Sequence, residues 1–166
     1  MAETRYASLI AELEKEYTQR FARSAQSDAR ANKVLVDGAT HMARYYAPFP
    51  FRCQAAKGAY VWDVDGHQIL DFWQGHYANI LGHNPPEVTA PLSAALADRW
   101  GLQTGFADEL EEEVGTLITR QTGAERVRFT TSGTLATMYA IMLARAYTNK
   151  PYILKVGGGW HGGQPW

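Results

Sequence analysis

A short extended segment that runs through a tight turn into a long helical segment constrains the fold of this chain more than any other feature. β-branched and aromatic residues at 127–131 favour a strand, and strong helix formers fill 135–145. Gly133, between the two, permits a close approach that a larger residue would block. A strand followed directly by a helix is the opening of an α/β unit.

The turn itself, residues 132–134, has the chemistry of an anion site. The first backbone N–H groups of a helix have no partner within the helix, and the helix dipole makes that end positive. Ser132, Gly133 and Thr134 would add two hydroxyl groups to these amides. The sequence therefore predicts that a phosphate binds at this turn.

A second strand is predicted at 152–156, and it ends in a glycine-rich loop that contains Trp160 and His161. Two strands joined by one helix form a parallel, right-handed βαβ unit, so the turn and the loop should meet at one edge of the sheet. No Gly-Lys-Ser/Thr sequence supplies the lysine and hydroxyl of a nucleoside triphosphate site. A phosphate cradle beside an aromatic ring and an imidazole instead favours a phosphorylated aromatic cofactor.

Six short motifs then occur in a fixed order along the chain. They are Gly58–Gly66, Asp71-Phe72, the Gly-His-x-x-Pro turn at 82–86, Thr131–Ala136, Ala144–Ala146 and Gly159–Gly162. In this order they resemble the N-terminal part of the class III, fold-type I pyridoxal-phosphate enzymes, the aminotransferases and glutamate-1-semialdehyde aminomutases. The resemblance extends from about Gly38 to Gly162.

The resemblance implies an α/β fold, the N-terminal portion of a fold-type I PLP-dependent transferase. Its parts would be an N-terminal helix, a β-hairpin and the opening βαβ of the large-domain sheet. The implied cofactor is pyridoxal 5'-phosphate, and the implied cofactor-binding residues are Ser132, Gly133, Thr134, Trp160 and His161. The residues implied to face a small amino-acid-like substrate are Arg44, His76 and Tyr77.

The chain departs from the family pattern in four ways. Thr131 and Leu135 stand where the family has Asn and Glu, and Trp160 stands where it has Tyr. The family's Schiff-base lysine and the aspartate that pairs with the pyridine nitrogen lie far beyond the Trp-His-Gly position. None of the five lysines here sits at a matching motif. The resemblance thus implies a fragment that has no catalytic residue, and we expect the full-length parent to be an enzyme and this chain alone to be inactive.

Three regions are predicted: a helical segment at 1–33, a segment with a β-hairpin at 34–84, and the truncated start of the PLP-binding large domain at 85–166. Apolar spacing predicts one helix from Tyr6 to about Arg30. The hairpin pairs Tyr60–Val64 with His67–Phe72 through an Asp65-Gly66 turn. Further helices are predicted near Glu87–Arg99 and Asp108–Thr122, with breaks at Gly82, Gly101, Gly105 and Gly123.

Composition narrows the classes of partner. With 46% apolar residues, 20% charged residues and a formal net charge of −1, the chain matches a soluble globular protein and has no electrostatic signature for nucleic acid or anionic membrane. Cys53 is the single cysteine, and neither a spanning helix nor a signal peptide is apparent. We therefore predict a cytoplasmic protein.

Each candidate motif also has a simpler interpretation. The acidic residues at 108–113 fall at the start of a predicted helix, where the helix dipole stabilises negative charge. They are therefore expected to be structural. The histidines lack zinc-ligand spacing, so no metal site is predicted. Ser132 and His161 lack the Gly-x-Ser-x-Gly elbow of a hydrolase. The simpler interpretation of Trp160 is a core aromatic, and that of His76 and Tyr77 is packing alone. His83 is expected to fix a loop beside Pro85.

Two functions remain open from the sequence. The first is a fragment of an aminotransferase or aminomutase that keeps the phosphate-binding turn at 132–134 and the aromatic ring of Trp160, which would stack on the cofactor. The alternative is a non-catalytic assembly or interaction module derived from that fold. Because the fragment lacks the later strands and helices of the family, we expect a homo-oligomer or another compensating contact to bury the edge next to the Tyr60–Phe72 hairpin. Mutase and aminotransferase share this half, so the sequence does not decide between them.

Overall fold

The computed structural model describes residues 2–98 and 105–164. The chain divides into two compact units, Met1–Leu102 and Gln103–Trp166, which are described separately below. The first unit contains α1 (Ala2–Arg20), α2 (Ala22–Ala31), β1 (Cys53–Lys57), β2 (Tyr60–Asp63), β3 (Gln68–Leu70), the short turn α3 (Gln74–Tyr77) and α4 (Pro86–Ala97). The second contains α5 (Glu109–Thr122) and α6 (Gly133–Thr148).

The N-terminal helical region is two helices, and the prediction of one continuous helix was wrong. The break is at Phe21, whose φ and ψ are −112° and 44°. Its ring lies 4.8 Å from the ring of His67 and 4.5 Å from that of Tyr17. Asp65 accepts hydrogen bonds from the backbone N–H groups of Arg23 (2.6 Å) and Ser24 (3.0 Å). These contacts with the hairpin cap α2 from a distant part of the chain, which local helix propensity cannot anticipate.

The predicted hairpin is confirmed. β2 and β3 are antiparallel, with Tyr60 opposite Leu70 and Trp62 opposite Gln68, and Gly66 in the connecting turn has a φ of 97°. Sequence reasoning missed β1, which pairs with the other edge of β2 to make a three-stranded antiparallel sheet. Its sequence, Cys-Gln-Ala-Ala-Lys, has little β propensity, so its conformation depends on pairing with β2.

The βαβ unit is not formed as predicted. The intervening helix α6 is present, but residues 127–130 and 152–156 belong to no strand, and no main-chain hydrogen bonds join them within the described part of the chain. β-branched residues favour an extended backbone but do not supply a partner. A strand needs a neighbour about 4.8 Å away that offers its own N–H and C=O groups.

The other predicted helices are confirmed with small shifts at their ends. Asp108 is the N-cap of α5, and its carboxylate accepts from the backbone N–H of Glu111 at 3.0 Å. The acidic cluster therefore has a structural role in the first turn of α5. Gly82, Gly105 and Gly123 have positive φ values, as expected at breaks. The predicted end of α4 at Arg99 and the break at Gly101 lie outside the described residues.

The core of the first unit is small and lies between the helices α1 and α2 and the hairpin. Phe49 and Val61 are its buried large apolar residues within the described ranges, and Ser24 and Asp63 are fully buried polar residues beside them. Asp63 is paired with the His67 ring at 2.7 Å, and the Ser24 hydroxyl donates to Asp65 at 2.6 Å. None of the described helices is long and apolar enough to cross a membrane.

We expect the Asp65→Ala variant to lower the free energy of unfolding by about 1–2 kcal/mol, because it removes the cap of α2. Burial raises the pKa of Asp65, but hydrogen bonds from Ser24 and Arg23 outweigh it, so the net pKa lies below its usual range. A carboxyl with a lowered pKa stabilises the fold above about pH 4, and that contribution is lost as pH falls through the folded-state value. Urea denaturation between pH 7 and pH 2 measures both effects.

The matched control for this experiment is Asp98→Ala, which removes an exposed carboxylate from the other end of a helix in the same unit. The wild-type chain and Asp98→Ala should lose more stability in acid than Asp65→Ala does. Equal acid sensitivity of all three proteins would contradict the capping role of Asp65.

Candidate functional site

The turn before α6 has the geometry of an open helix N-terminus. Ser132 is the N-cap, with φ −160° and ψ 157°, and its Oγ accepts from the backbone N–H of Leu135 at 3.2 Å. The amides of Gly133 and Thr134 have no protein acceptor within the described residues. No acidic side chain lies in the first turn of this 16-residue helix. The first turn of α6 therefore has two backbone N–H groups without a protein acceptor among the described residues, at the positive end of the helix dipole.

The glycine-rich loop lies against this turn, as the sequence predicted. The backbone N–H of Gly163 donates to Thr134 Oγ1 at 3.3 Å, and the hydroxyl of Thr137 donates to the carbonyl of His161 at 3.1 Å. Gln164 Nε2 donates to the Thr134 carbonyl and to Thr137 Oγ1. Side chains and backbone of α6 thus hold the loop, without the two sheet strands that were expected to do so.

Gly162 is the point of closest approach between the loop and the helix. Its φ is 83°, and a Cβ atom there would lie 2.8 Å from Thr134 Cα and 2.7 Å from Thr134 Oγ1. Real Cβ atoms do not come so close to a backbone atom, so only glycine fits without displacement.

Trp160 and His161 are both exposed on this loop. The Trp160 side chain has 75% of its surface accessible, so it is not a core aromatic within this unit. An exposed indole face can stack on a planar ring, and His161, the next residue in the chain, carries a polar ring. The turn and the loop together present amides, hydroxyls, an indole and an imidazole.

The candidate substrate residues Arg44, His76 and Tyr77 all belong to the first unit. Arg44 lies in a short 3₁₀ turn and donates to Thr40 Oγ1 at 3.0 Å. The ring of His76 lies 4.8 Å from that of Trp73 and meets the ring of His41 edge-on at 5.9 Å. Tyr77 also contacts Trp73, at 5.3 Å between ring centroids. The His41–His76 contact therefore brings the segment before Arg44 to the turn that carries His76 and Tyr77.

Two Asp–His pairs in the first unit were missed by sequence reasoning. Asp63 pairs with His67, and Asp71 pairs with His83, each at 2.7 Å. Burial raises the pKa of Asp71, but the hydrogen bonds from His83 and from the amides of Gln74 and Trp73 outweigh it, so its pKa lies below the usual range. His83 fixes a loop, as predicted, and its side-chain partner is Asp71.

All five lysines fall within the described residues, and all are exposed. None occupies the desolvated pocket that activates a lysine as a nucleophile. Within residues 2–98 and 105–164, no group of three or more His, Cys, Asp or Glu side chains could hold a metal ion.

Comparisons with known proteins give a consistent picture. The sequence profile described as aminotransferase class-III matches residues 41–164. The glutamate-1-semialdehyde 2,1-aminomutase of Deinococcus radiodurans is 42% identical over 144 residues, which is 85% of this chain and 32% of that protein. The chain spans about a third of the length of the curated relatives that it matches.

Solved structures agree with the sequence matches. A β-phenylalanine aminotransferase from Variovorax paradoxus superposes with a TM-score of 0.88 at 28% identity, over 95% of this chain and 36% of that one. A transaminase with PLP bound superposes with a TM-score of 0.81 at 36% identity, over 87% of this chain and 34% of that one.

Proposed function

The chain belongs to the class-III aminotransferase family, as its motifs predicted, and on that basis we propose that it is the N-terminal part of a PLP-dependent aminotransferase or aminomutase. The observation that carries the proposal is the open N-terminus of α6, where the amides of Gly133 and Thr134 point away from any protein acceptor among the described residues. Ser132 caps the turn, and the loop at Gly162 packs against Thr134 beside it.

In this proposal each site residue has a defined role. Gly133 and Thr134 hold the phosphate through backbone amides, Ser132 shapes the turn, Trp160 stacks on the pyridine ring, and His161 lies at its edge. When bound, the cofactor supplies an aldehyde and an electron-withdrawing ring for amino-group chemistry. Thr131 and Leu135 offer less polar contact than the Asn and Glu that the family pattern has at these positions.

Arg44, His76 and Tyr77 are proposed to face the substrate, a small amino acid or amino-aldehyde. A guanidinium binds a carboxylate through paired, charge-assisted hydrogen bonds, so Arg44 is the candidate for that group. His76 and Tyr77 would form an aromatic wall. The reaction, amino-group transfer or its intramolecular form in a mutase, is a property of the full-length parent.

Residues 1–166 alone are proposed to bind the cofactor weakly and to lack catalytic activity. A lysine nucleophile must be desolvated or placed beside another cation to react efficiently, and the five lysines here are all exposed. A cytoplasmic setting is proposed because Cys53 is the single cysteine and can form no internal disulfide.

A second candidate function, a non-catalytic assembly module, is favoured by one observation. α6 exposes large apolar side chains, with Met142, Leu143 and Tyr147 having 55%, 70% and 93% of their surface accessible. Large apolar side chains exposed in this way are typical of contact with another protein surface. We propose a homo-oligomer in which such surface, and the edge beside the Tyr60–Phe72 hairpin, is covered.

The decisive experiment compares pyridoxal phosphate with pyridoxal, which differs only in lacking the phosphate. Equilibrium dialysis of the purified chain should give measurable, weak binding of pyridoxal phosphate and at least about tenfold weaker binding of pyridoxal, because charge-assisted hydrogen bonds contribute about 1.5–3 kcal/mol. After borohydride reduction, mass spectrometry should find no stoichiometric label on any lysine. Equal binding of the two ligands would refute the phosphate site, and one fully labelled lysine with amino-donor turnover would refute the inactivity of the chain.

A further inference from the structure

The turn α3, which carries His76 and Tyr77, has a left-handed backbone at every residue. The φ values of Gln74, Gly75, His76 and Tyr77 are 42°, 58°, 63° and 63°. L-residues enter this region at a steric cost, and successive ones rarely do so. Such geometry persists only where surrounding contacts hold it, and it is concentrated at functional sites.

Asp71 fixes the entry to this turn. Its Oδ1 accepts from the backbone N–H groups of Trp73 (2.8 Å) and Gln74 (3.1 Å). Gln74 Nε2 in turn donates to the Asp71 carbonyl at 3.0 Å. The carboxylate therefore orients the two peptide groups that lead into the left-handed turn.

The second oxygen of Asp71 closes the loop that contains the turn. His83 Nε2 lies 2.7 Å from Asp71 Oδ2, and both side chains are largely buried. The main chains of His83 and Gly58 exchange two hydrogen bonds, at 2.8 Å and 2.9 Å. Gly82 packs so tightly on Gly58 that a Cβ atom would lie 2.9 Å from the Gly58 carbonyl oxygen. Residues 71 and 83 thus form the neck of a closed loop anchored on the β1–β2 connection.

The same neck sets the orientation of the His83 ring. Asn79 Nδ2 lies 3.4 Å from His83 Nδ1, so the tautomer with its proton on Nε2 satisfies both neighbours. In that tautomer the Nε2–H group donates to Asp71 Oδ2, and Nδ1 accepts from Asn79.

We propose that Asp71 and His83 are positioning residues, which hold the left-handed turn and thereby the rings of His76 and Tyr77 in place. The link to a substrate rests on the proposed function, in which these two rings form the substrate wall. The closure of the loop does not rest on it, and it can be tested without cofactor.

The experiment uses the five histidines as separate reporters. NMR spectra of the full chain with ¹³C-labelled histidine are recorded for the wild type, His83→Ala, His83→Gln and Asp71→Asn. Because the Trp73 ring lies 4.8 Å from the His76 ring, its ring current should displace the His76 signals in the wild type. We expect His83→Ala and Asp71→Asn to remove that displacement and to shift His41, which touches His76, while His67 and His161 keep their positions. His83→Gln, whose amide can still donate to Asp71, should restore most of the His76 displacement.

The matched control is His67→Ala, which breaks the other Asp–His pair of the first unit at the same 2.7 Å separation. It should leave the His76 signal unchanged. An unchanged His76 signal in both His83→Ala and Asp71→Asn would overturn the proposal. Collapse of all signals of the first unit, including His67, in both variants would also overturn it, because the pair would then maintain the whole unit. The proposed function is tested independently, by the equilibrium dialysis that compares pyridoxal phosphate with pyridoxal.

Discussion

Replacing Gly133 by proline is expected to weaken the binding of pyridoxal phosphate by roughly 10- to 100-fold. Proline has no N–H group, so the substitution removes one of the two amides assigned to the phosphate. A hydrogen bond to a charged group contributes about 1.5–3 kcal/mol, which corresponds to this range of affinity. Equilibrium dialysis against pyridoxal phosphate measures the change.

The Gly133→Pro substitution should not disrupt the fold, because Gly133 is the first residue of α6. Proline is favoured at the first position of a helix, where the missing N–H breaks no helical hydrogen bond. The residue before a proline must be extended, and Ser132 already has φ −160° and ψ 157°. The helix should therefore survive the change, with an unchanged circular dichroism spectrum.

The matched control is Gly133→Ala, which keeps the amide. A Cβ at this position meets nothing within 4 Å, so the variant should bind pyridoxal phosphate within about threefold of the wild type. Binding of pyridoxal should be the same for both variants. If proline and alanine reduce affinity equally, the Gly133 amide does not hold the phosphate.

Local signals in the sequence predicted α6 and its beginning better than they predicted the strands on either side of it. The Ser132 cap and α6 follow from residues within a few positions of one another, because capping and helix propensity act at short range. The contact of the loop with Thr134 was also predicted, although for a different reason from the observed one. It was derived from a βαβ sheet edge, whereas hydrogen bonds to Thr134 and Thr137 make it.

Features that depend on distant residues could not be predicted in this way. The break at Phe21 is set by Asp65 and His67, which lie more than 40 residues away. β1 depends on its partner strand, and the left-handed geometry of α3 depends on the Asp71–His83 pair at the two ends of its loop. Nothing in the residues of α3 other than Gly75 favours positive φ, because the cause is tertiary.

The Gly162→Ala variant is expected to detach the glycine-rich loop from α6. The new methyl group would lie 2.8 Å from Thr134 Cα, and the positive φ of 83° adds conformational strain of about 1–3 kcal/mol. Because the loop is held by a few hydrogen bonds of about 1 kcal/mol each, this cost is enough to release it. Hydrogen exchange followed by NMR should show loss of protection at the Gly163 amide, which donates to Thr134 in the wild type.

The neighbouring Gly163→Ala variant separates this steric effect from a general loss of glycine. Gly163 has no heavy atom within 4 Å of an added Cβ and no positive φ, so protection of its amide should be retained. Release of the loop also moves Trp160 and His161 away from the turn, so Gly162→Ala should weaken pyridoxal phosphate binding while leaving the amides of Gly133 and Thr134 in place. Full protection at Gly163 in the Gly162→Ala variant would mean that the loop does not depend on this close approach, and that the turn alone forms the site.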